Sequence, residues 1–168
     1  MDFLKDKNVF ITGSARGLGR ALALKFAEQG AVVIGHDRSS KKETAELFEE
    51  LQKFNPKCGV FQADLRSGEQ TLGMVQQIHQ QYGYIDVLIN NVGNFIYKPI
   101  EQVSFEEFKD VIETNLYATF LCSKLVLEKM KERGSGNIVN IGCASAHRVR
   151  ELTTPYYIAK TGVLMLTK

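Results

Sequence analysis

Asn8-Val9-Phe10-Ile11-Thr12-Gly13-Ser14-Ala15-Arg16-Gly17-Leu18-Gly19 is the stretch whose reading decides the fold. A short β-branched and apolar run, Asn8 to Thr12, gives way to a glycine-rich turn that feeds directly into a helical pattern from Leu18 to Gln29, stopped by Gly30. Strand, tight turn and helix in that order are the first half of a βαβ unit. Glycines let such a turn bend sharply and bring its backbone close to a pyrophosphate. The free N–H groups and the positive end of the helix dipole then favour the anion. Gly13, Ser14, Arg16, Gly17, Leu18 and Gly19 are therefore candidate phosphate-site residues, although the same spacing also suits a ligand-free strand-to-helix turn.

The rhythm repeats outward from this unit. Ala31 to Gly35, Gly59 to Gln62, Asp86 to Asn90 and Asn137 to Ile141 read, like Asn8 to Thr12, as apolar strands buried on both faces. Helical patterns separate them: Lys41 to Phe54 before Pro56, and Glu69 to Tyr82 before Gly83. Ser104 and Glu107 form a capping box that opens a long helical region continuing to Arg133, with Gly134-Ser135-Gly136 as its exit. Tyr156 to Lys168 has helical spacing and no cap, so the chain is expected to stop inside a helix. Alternation of this kind predicts an α/β fold, a doubly wound parallel sheet between two helical layers, in one domain over residues 1–168.

Composition agrees with an ordinary globular chain: 168 residues, 44% hydrophobic and 24% charged. Lys plus Arg (21) nearly balance Asp plus Glu (19), for a formal charge of +2 and no block of like charge, so nucleic acid and anionic membrane surfaces are not expected partners. Neither a signal peptide nor an apolar run long enough to span a membrane is evident, which points to the cytoplasm. Cys58, Cys122 and Cys143 lack C-x-x-C spacing, and His36, His79 and His147 share no helical spacing with them, so neither disulfides nor a metal site are expected.

Two further groups carry chemistry. Asp37, at the end of the second strand, can accept hydrogen bonds from the ribose hydroxyls of NAD, or be a solvated strand-end carboxylate. Arg16 and Arg38 argue for NADP, because a guanidinium pairs bidentately with a 2′-phosphate. A fixed carboxylate repels that phosphate, which tips the reading slightly towards NAD(H). Tyr156 and Lys160 lie one helical turn apart, where an ammonium favours ionisation of the phenol for acid–base work, or where the two are an exposed surface pair.

Taken together in chain order, these residues resemble the short-chain dehydrogenase/reductase family, a Rossmann-type fold, over the whole chain. Thr12, Gly13, Gly17 and Gly19 match its T-G-x-x-x-G-x-G turn. Asp64 and Leu65 match the acidic position near the adenine, and Asn90-Asn91-Val92-Gly93 matches its N-N-A-G segment with Val92 for the alanine. Asn115 matches an asparagine that looks through a water towards the catalytic lysine, and Tyr156 and Lys160 match the catalytic pair, which also contacts the cofactor. Within the family the wording is most similar to 3-oxoacyl-acyl-carrier-protein reductases. The resemblance implies hydride transfer between NAD(P)(H) and a carbonyl or secondary alcohol substrate, with an acyl-carrier-linked substrate and a fatty acid biosynthesis role in that branch. It also implies a homo-dimer or homo-tetramer paired through the helices from Ser104 to Arg133 and from Tyr156 onward.

Two departures stand beside these matches. Cys143 occupies the position of the family's carbonyl-polarising serine. A thiol is a weaker donor than a hydroxyl, and Ser145 offers an alternative if the loop shifts; Cys143 can also be read as a reactive thiolate or as a small buried thiol. The resemblance further implies a C-terminal part with two more strands and a substrate lid, leaving the fifth strand as an open edge in this sequence. A catalytically weak or inactive nucleotide-binding module, or a fragment of a longer protein, is the competing expectation. Asn94, Phe95, Tyr97 and His147 are candidate pocket-lining residues.

Overall fold

The computed structural model describes residues 3–143 and 152–168. Five strands, β1 (Asn8–Ile11), β2 (Val32–Asp37), β3 (Gly59–Gln62), β4 (Val87–Asn90) and β5 (Asn137–Asn140), form one parallel sheet in the order β3-β2-β1-β4-β5. Six α-helices connect or follow them: α1 (Gly17–Glu28), α2 (Lys41–Phe54), α3 (Gly68–Tyr82), α4 (Phe105–Ile112), α5 (Ala118–Arg133) and α6 (Thr154–Leu166). The chain winds outward from β1 to β3 and then returns to place β4 on the other side of β1. The crevice beyond the carboxyl ends of β1 and β4 is therefore the topological switch point, where ligands of such sheets bind.

Strand alternation divides the core into two layers. Phe10 and Leu88 pack with Met74, Ile78, Cys122 and Val126 from α3 and α5. Val9, Ile11 and Val33 pack with Ala23, Ala27, Leu47 and Leu51 from α1 and α2. Each Val, Leu, Ile, Phe or Met among them, removed from water, contributes about 1.5–3 kcal/mol, which fixes the strand ends on which the site is built.

Burial on both faces holds for β1, β2 and β4 but not for the outer strands. In β5, Asn137 and Val139 are exposed, and in β3 Gln62 is exposed. The reason is position: the order β3-β2-β1-β4-β5 leaves each outer strand with a single neighbour, and an apolar composition does not reveal how many neighbours a strand has. The helical region opened by Ser104 is also not continuous. Its capping box forms as expected, with Glu107 N donating to Ser104 Oγ at 3.1 Å and Ser104 N to Glu107 Oε2 at 2.9 Å. A π turn over Glu113–Tyr117 then separates α4 from α5. There Thr119 Oγ1 donates to the Asn115 carbonyl at 2.7 Å, and the Asn115 side chain turns fully inward. Among the described residues no helix is long and apolar enough to cross a membrane, and no group of His, Cys, Asp and Glu could hold a metal ion.

Candidate active site

The glycine turn is held from three sides. Gly13 has φ +65° and Gly17 φ +56°, left-handed conformations that favour glycine. The Thr12 hydroxyl accepts from Asn91 N at 2.9 Å and Val92 N at 3.1 Å, while Asn91 Nδ2 donates to the carbonyls of Thr12 at 3.0 Å and Gly13 at 3.1 Å. The loops after β1 and β4 are thus clamped together at the switch point. A Cβ on Gly19 would lie 2.1 Å from the Gly13 carbonyl oxygen, so glycine there lets α1 close onto the turn. Over Gly17 the space is open.

A cleft of about 550 Å³ lies against this turn. Gly13, Arg16, Leu18 and Gly19 border it from the turn, Asp37 and Arg38 from the end of β2, Asp64 and Leu65 from the loop after β3, and Asn91, Val92 and Gly93 from the loop after β4. Asp37 Oδ2 accepts from Ser39 N at 2.9 Å and Ser40 N at 2.5 Å, which fixes the carboxylate at the cleft wall. Ser14 does not fit the expectation. It is fully buried, its N donates to the His36 carbonyl at 2.8 Å, and its Oγ accepts from His36 N at 2.8 Å, so it ties the turn to β2 instead of facing the cleft.

Sequence reasoning passed over His36, Arg66 and Asp110, which stand in this wall. His36 is buried, with Nδ1 accepting from Gly13 N at 3.1 Å and Nε2 against the Ala63 carbonyl at 2.9 Å; burial lowers its pKa. Arg66 bonds both Asp64 and Asp110, and holds the Asp64 carboxyl below the usual carboxylate range. His36 falls one residue past the strand read as Ala31 to Gly35, and the Arg66 to Asp110 pairing spans 44 positions, beyond any local pattern.

A second group lies on the other side of Gly93 and does not border that cleft. Lys160, 4% exposed, donates from Nζ to the Ile141 carbonyl at 2.8 Å, and burial lowers its pKa. Tyr156 is half-buried, shares a hydrogen bond with Cys143 and packs edge-on against Phe95 at 6.1 Å between ring centroids. Burial first, then Cys143, pushes the Tyr156 phenol up to about 12. This reverses the expectation that Lys160 lowers it: the ammonium is turned to Ile141 and stands 5.8 Å from the Tyr156 ring centroid. Asn115 Nδ2 donates to Asn94 O, Asn94 Oδ1 and Val111 O, while its buried Oδ1 has no partner among the described residues. A Cβ on Gly93 would lie 2.7 Å from that Oδ1 and 3.8 Å from Lys160 Nζ, so the two polar atoms flank one small space. Ser145 and His147 lie outside the described residues.

A sequence model of the family described as short chain dehydrogenase matches residues 7–168. The chain belongs to the short chain dehydrogenase family. It is 31% identical over 163 residues to a 3-oxoacyl-acyl-carrier-protein reductase of Staphylococcus epidermidis, covering 97% of this chain and 67% of that protein. A solved short chain dehydrogenase of Bacillus anthracis superimposes with a TM-score of 0.92 at 33% identity, covering 98% of this chain and 68% of that one. A variant of actinorhodin polyketide ketoreductase solved with NADPH gives 0.91 at 29% identity, covering 96% and 62%. The chain thus spans about two thirds of the length of the short chain dehydrogenases it matches. Short chain dehydrogenases are oxidoreductases that bind NAD(P)(H), and the glycine turn, the Asn91 clamp and the Tyr156/Lys160 pair stand here in that setting.

Proposed function

We propose that this chain carries the cofactor site and proton-transfer group of an oxidoreductase that interconverts a carbonyl and a secondary alcohol, with a 3-oxoacyl substrate as the first candidate. The observation that carries the reading is the group of Tyr156, hydrogen-bonded with Cys143, and buried Lys160, whose Nζ stands beside Gly93, a residue that itself borders the cleft. The cleft's walls fit a dinucleotide: open space over Gly17 at the start of α1 suits a pyrophosphate, and Asp37 suits ribose hydroxyls. The fixed Asp37 carboxylate favours NAD(H) over a 2′-phosphorylated cofactor, with Arg16 and Arg38 as the opposing influence.

When bound, the nicotinamide supplies or accepts the hydride at the substrate carbon. Tyr156 keeps its proton through neutral pH and delivers it to the substrate oxygen, so that carbon gains hydride and oxygen gains proton. Cys143 donates weakly to that oxygen. Lys160 places a positive charge near the forming phenolate, and Asn115 Oδ1 offers the acceptor for a proton-relaying water. Exposed Phe95 and Tyr97 add apolar surface at the loop after β4, suited to an acyl chain. The exposed aromatic and aliphatic residues of α5 and α6 support a homo-oligomer, and the reading includes a cytoplasmic setting.

The thiol at position 143 favours a second reading, a nucleotide-binding module with weak or no turnover. Calorimetric titration with NAD⁺, NADH, NADP⁺ and NADPH, followed by assay on 3-oxoacyl thioesters and simple ketones, separates the two. Binding with turnover supports the oxidoreductase, binding without turnover supports the module, and no binding removes both.

A further inference from the structure

Tyr156 is the third residue of α6, in a first turn that its own sequence does little to hold. Thr153, at the N-cap, makes no side-chain capping bond, its buried Oγ1 has no partner among the described residues, and Pro155 brings no N–H. One residue before Thr153, Leu152 has φ +73°, a left-handed conformation that is costly for a residue with a Cβ. Such a backbone persists where its surroundings over-determine it.

Those surroundings are the loop after β4. Lys98 N donates to the Leu152 carbonyl at 2.8 Å. Lys98 is held in turn, because its Nζ donates to Glu107 Oε1 on α4 at 2.5 Å and Pro99 restricts it to extended backbone. The same loop places Phe95 edge-on against Tyr156 and offers Asn94 O and Oδ1 to the Asn115 amide. Residues 94–98 therefore touch both Tyr156 and Asn115, and they grip the chain at Leu152, one helical turn ahead of the phenol.

We propose that Lys98 is a positioning residue for Tyr156: its backbone N–H, by pinning the Leu152 carbonyl, fixes where α6 starts and so where the phenol stands. The inference rests on the role given to Tyr156 under Proposed function. Lys98→Pro removes the N–H within an extended backbone that proline shares, whereas Lys98→Ala keeps the N–H and removes only the ion pair to Glu107. Three quantities are read on the intact chain: dinucleotide Kd, kcat on the ketone panel, and the phenolate titration of Tyr156 by difference from the matching Tyr156→Phe. Lys98→Pro is expected to lower kcat by about tenfold or more while the dinucleotide Kd stays within about threefold. It is also expected to bring the Tyr156 titration down from about 12 by about one pH unit or more, as the phenol loses its burial. Lys98→Ala is expected to lose no more than about threefold in kcat. Unchanged kcat and titration in a folded Lys98→Pro overturn the assignment, and so does an equal loss in Lys98→Ala, which would give the role to the Glu107 pair. Should the proline variant not fold, amide exchange in the wild-type chain decides: a Lys98 N–H slowed by about tenfold or more supports the bond, and free exchange overturns it. A chain that binds dinucleotide and reduces no ketone loses the reading under Proposed function, while the titration still decides the place of Lys98.

Discussion

His36 Nδ1 accepts a hydrogen bond from the Gly13 backbone N–H at 3.1 Å, so a side chain of β2 holds the glycine turn that follows β1. Its Nε2 faces the Ala63 carbonyl at 2.9 Å and must carry the ring proton, leaving Nδ1 as the acceptor. Protonation would turn two donors towards each other at Gly13. Burial already holds the folded-state pKa below the unfolded value of 6.5. A depressed folded pKa means stability is fully present above about 6.5 and is lost as pH falls through the folded value, with a limiting slope of about 1.4 kcal/mol per pH unit for one proton. His79 is shifted in the same direction, so the contribution of His36 is read by difference. His36→Asn keeps an acceptor near Gly13 and cannot titrate. Denaturant midpoints between pH 8 and 5.5 are expected to fall less in the variant than in wild type; equal falls would remove His36 from the turn's pH response.

Gly19 and Gly17 should respond differently to alanine. A Cβ at Gly19 meets the Gly13 carbonyl oxygen at 2.1 Å and Asn91 Nδ2 at 2.6 Å, so the clamp itself must move. Overpacking of this kind costs about 1–3 kcal/mol. Gly19→Ala is expected to lower stability and weaken dinucleotide binding by tenfold or more, a loss of about 1.4 kcal/mol in binding. At Gly17 no atom lies within 4 Å of the new Cβ and only the left-handed φ of +56° is strained, at about 1–2 kcal/mol. Thermal melts with calorimetry check both; unimpaired binding in a folded Gly19→Ala would show that the contact relaxes.

Cys143 is the place to test the reading of the catalytic end. It shares a hydrogen bond with Tyr156, and under the proposed function the thiol takes the place of a carbonyl-polarising hydroxyl. Removing one well-placed oxyanion donor costs about 10²–10³ in turnover. A thiol retains part of that effect, so Cys143→Ser is expected to raise ketone reduction by tenfold or more. Steady-state rates on the same ketone panel measure it, and a fall would give the thiol a role of its own.

The order of strands and helices was legible because each carries its own periodicity and breaker: α2 begins at Lys41 and ends at Phe54, as Pro56 indicates. What local pattern could not carry was anything set by distant neighbours. Val139 reads as buried β-branched composition, but the strand order leaves β5 with one partner. Asn115 reads as a helical position, while the π turn that turns it inward keeps helical dihedrals at its flanks and leaves little trace in apolar spacing. Ser14 and His36 read as a ligand residue and a bystander, and their mutual hydrogen bonds reverse the first assignment and supply the second with a role.

Tyr156 gives a direct spectroscopic prediction. Its phenol is held up to about 12 by burial and by Cys143. The phenolate absorbance difference between wild type and Tyr156→Phe is therefore expected to stay flat up to pH 10, where an ordinary tyrosine is half ionised. Tyr82, also raised by burial, cancels in the difference. Appearance of the signal below pH 9 would mean that the Lys160 charge outweighs burial. In the same variant, loss of the proton donor is expected to lower turnover by about 10²–10⁴.

Association should separate two apolar surfaces among the described residues. Phe120 and Leu127 on α5 and Leu166 on α6 are 44%, 39% and 38% exposed and border one groove with Ile138. Val139, 40% exposed, lies on the open edge strand. Pairing through the helices gives a closed dimer or tetramer, and a specific interface of this kind buries at least about 1,000 Å². Pairing of the β5 edge with the β3 edge of another copy has no closure and grows with concentration. Light scattering is expected to show a discrete oligomer that Leu127→Arg dissociates, because a third cation between Lys124 and Lys131 in that groove cannot be buried without a partner. Val139→Lys, which blocks edge pairing, is expected to leave that oligomer intact. Growth that Val139→Lys abolishes would assign association to the edge instead, and a monomer at all concentrations would remove both surfaces as contacts.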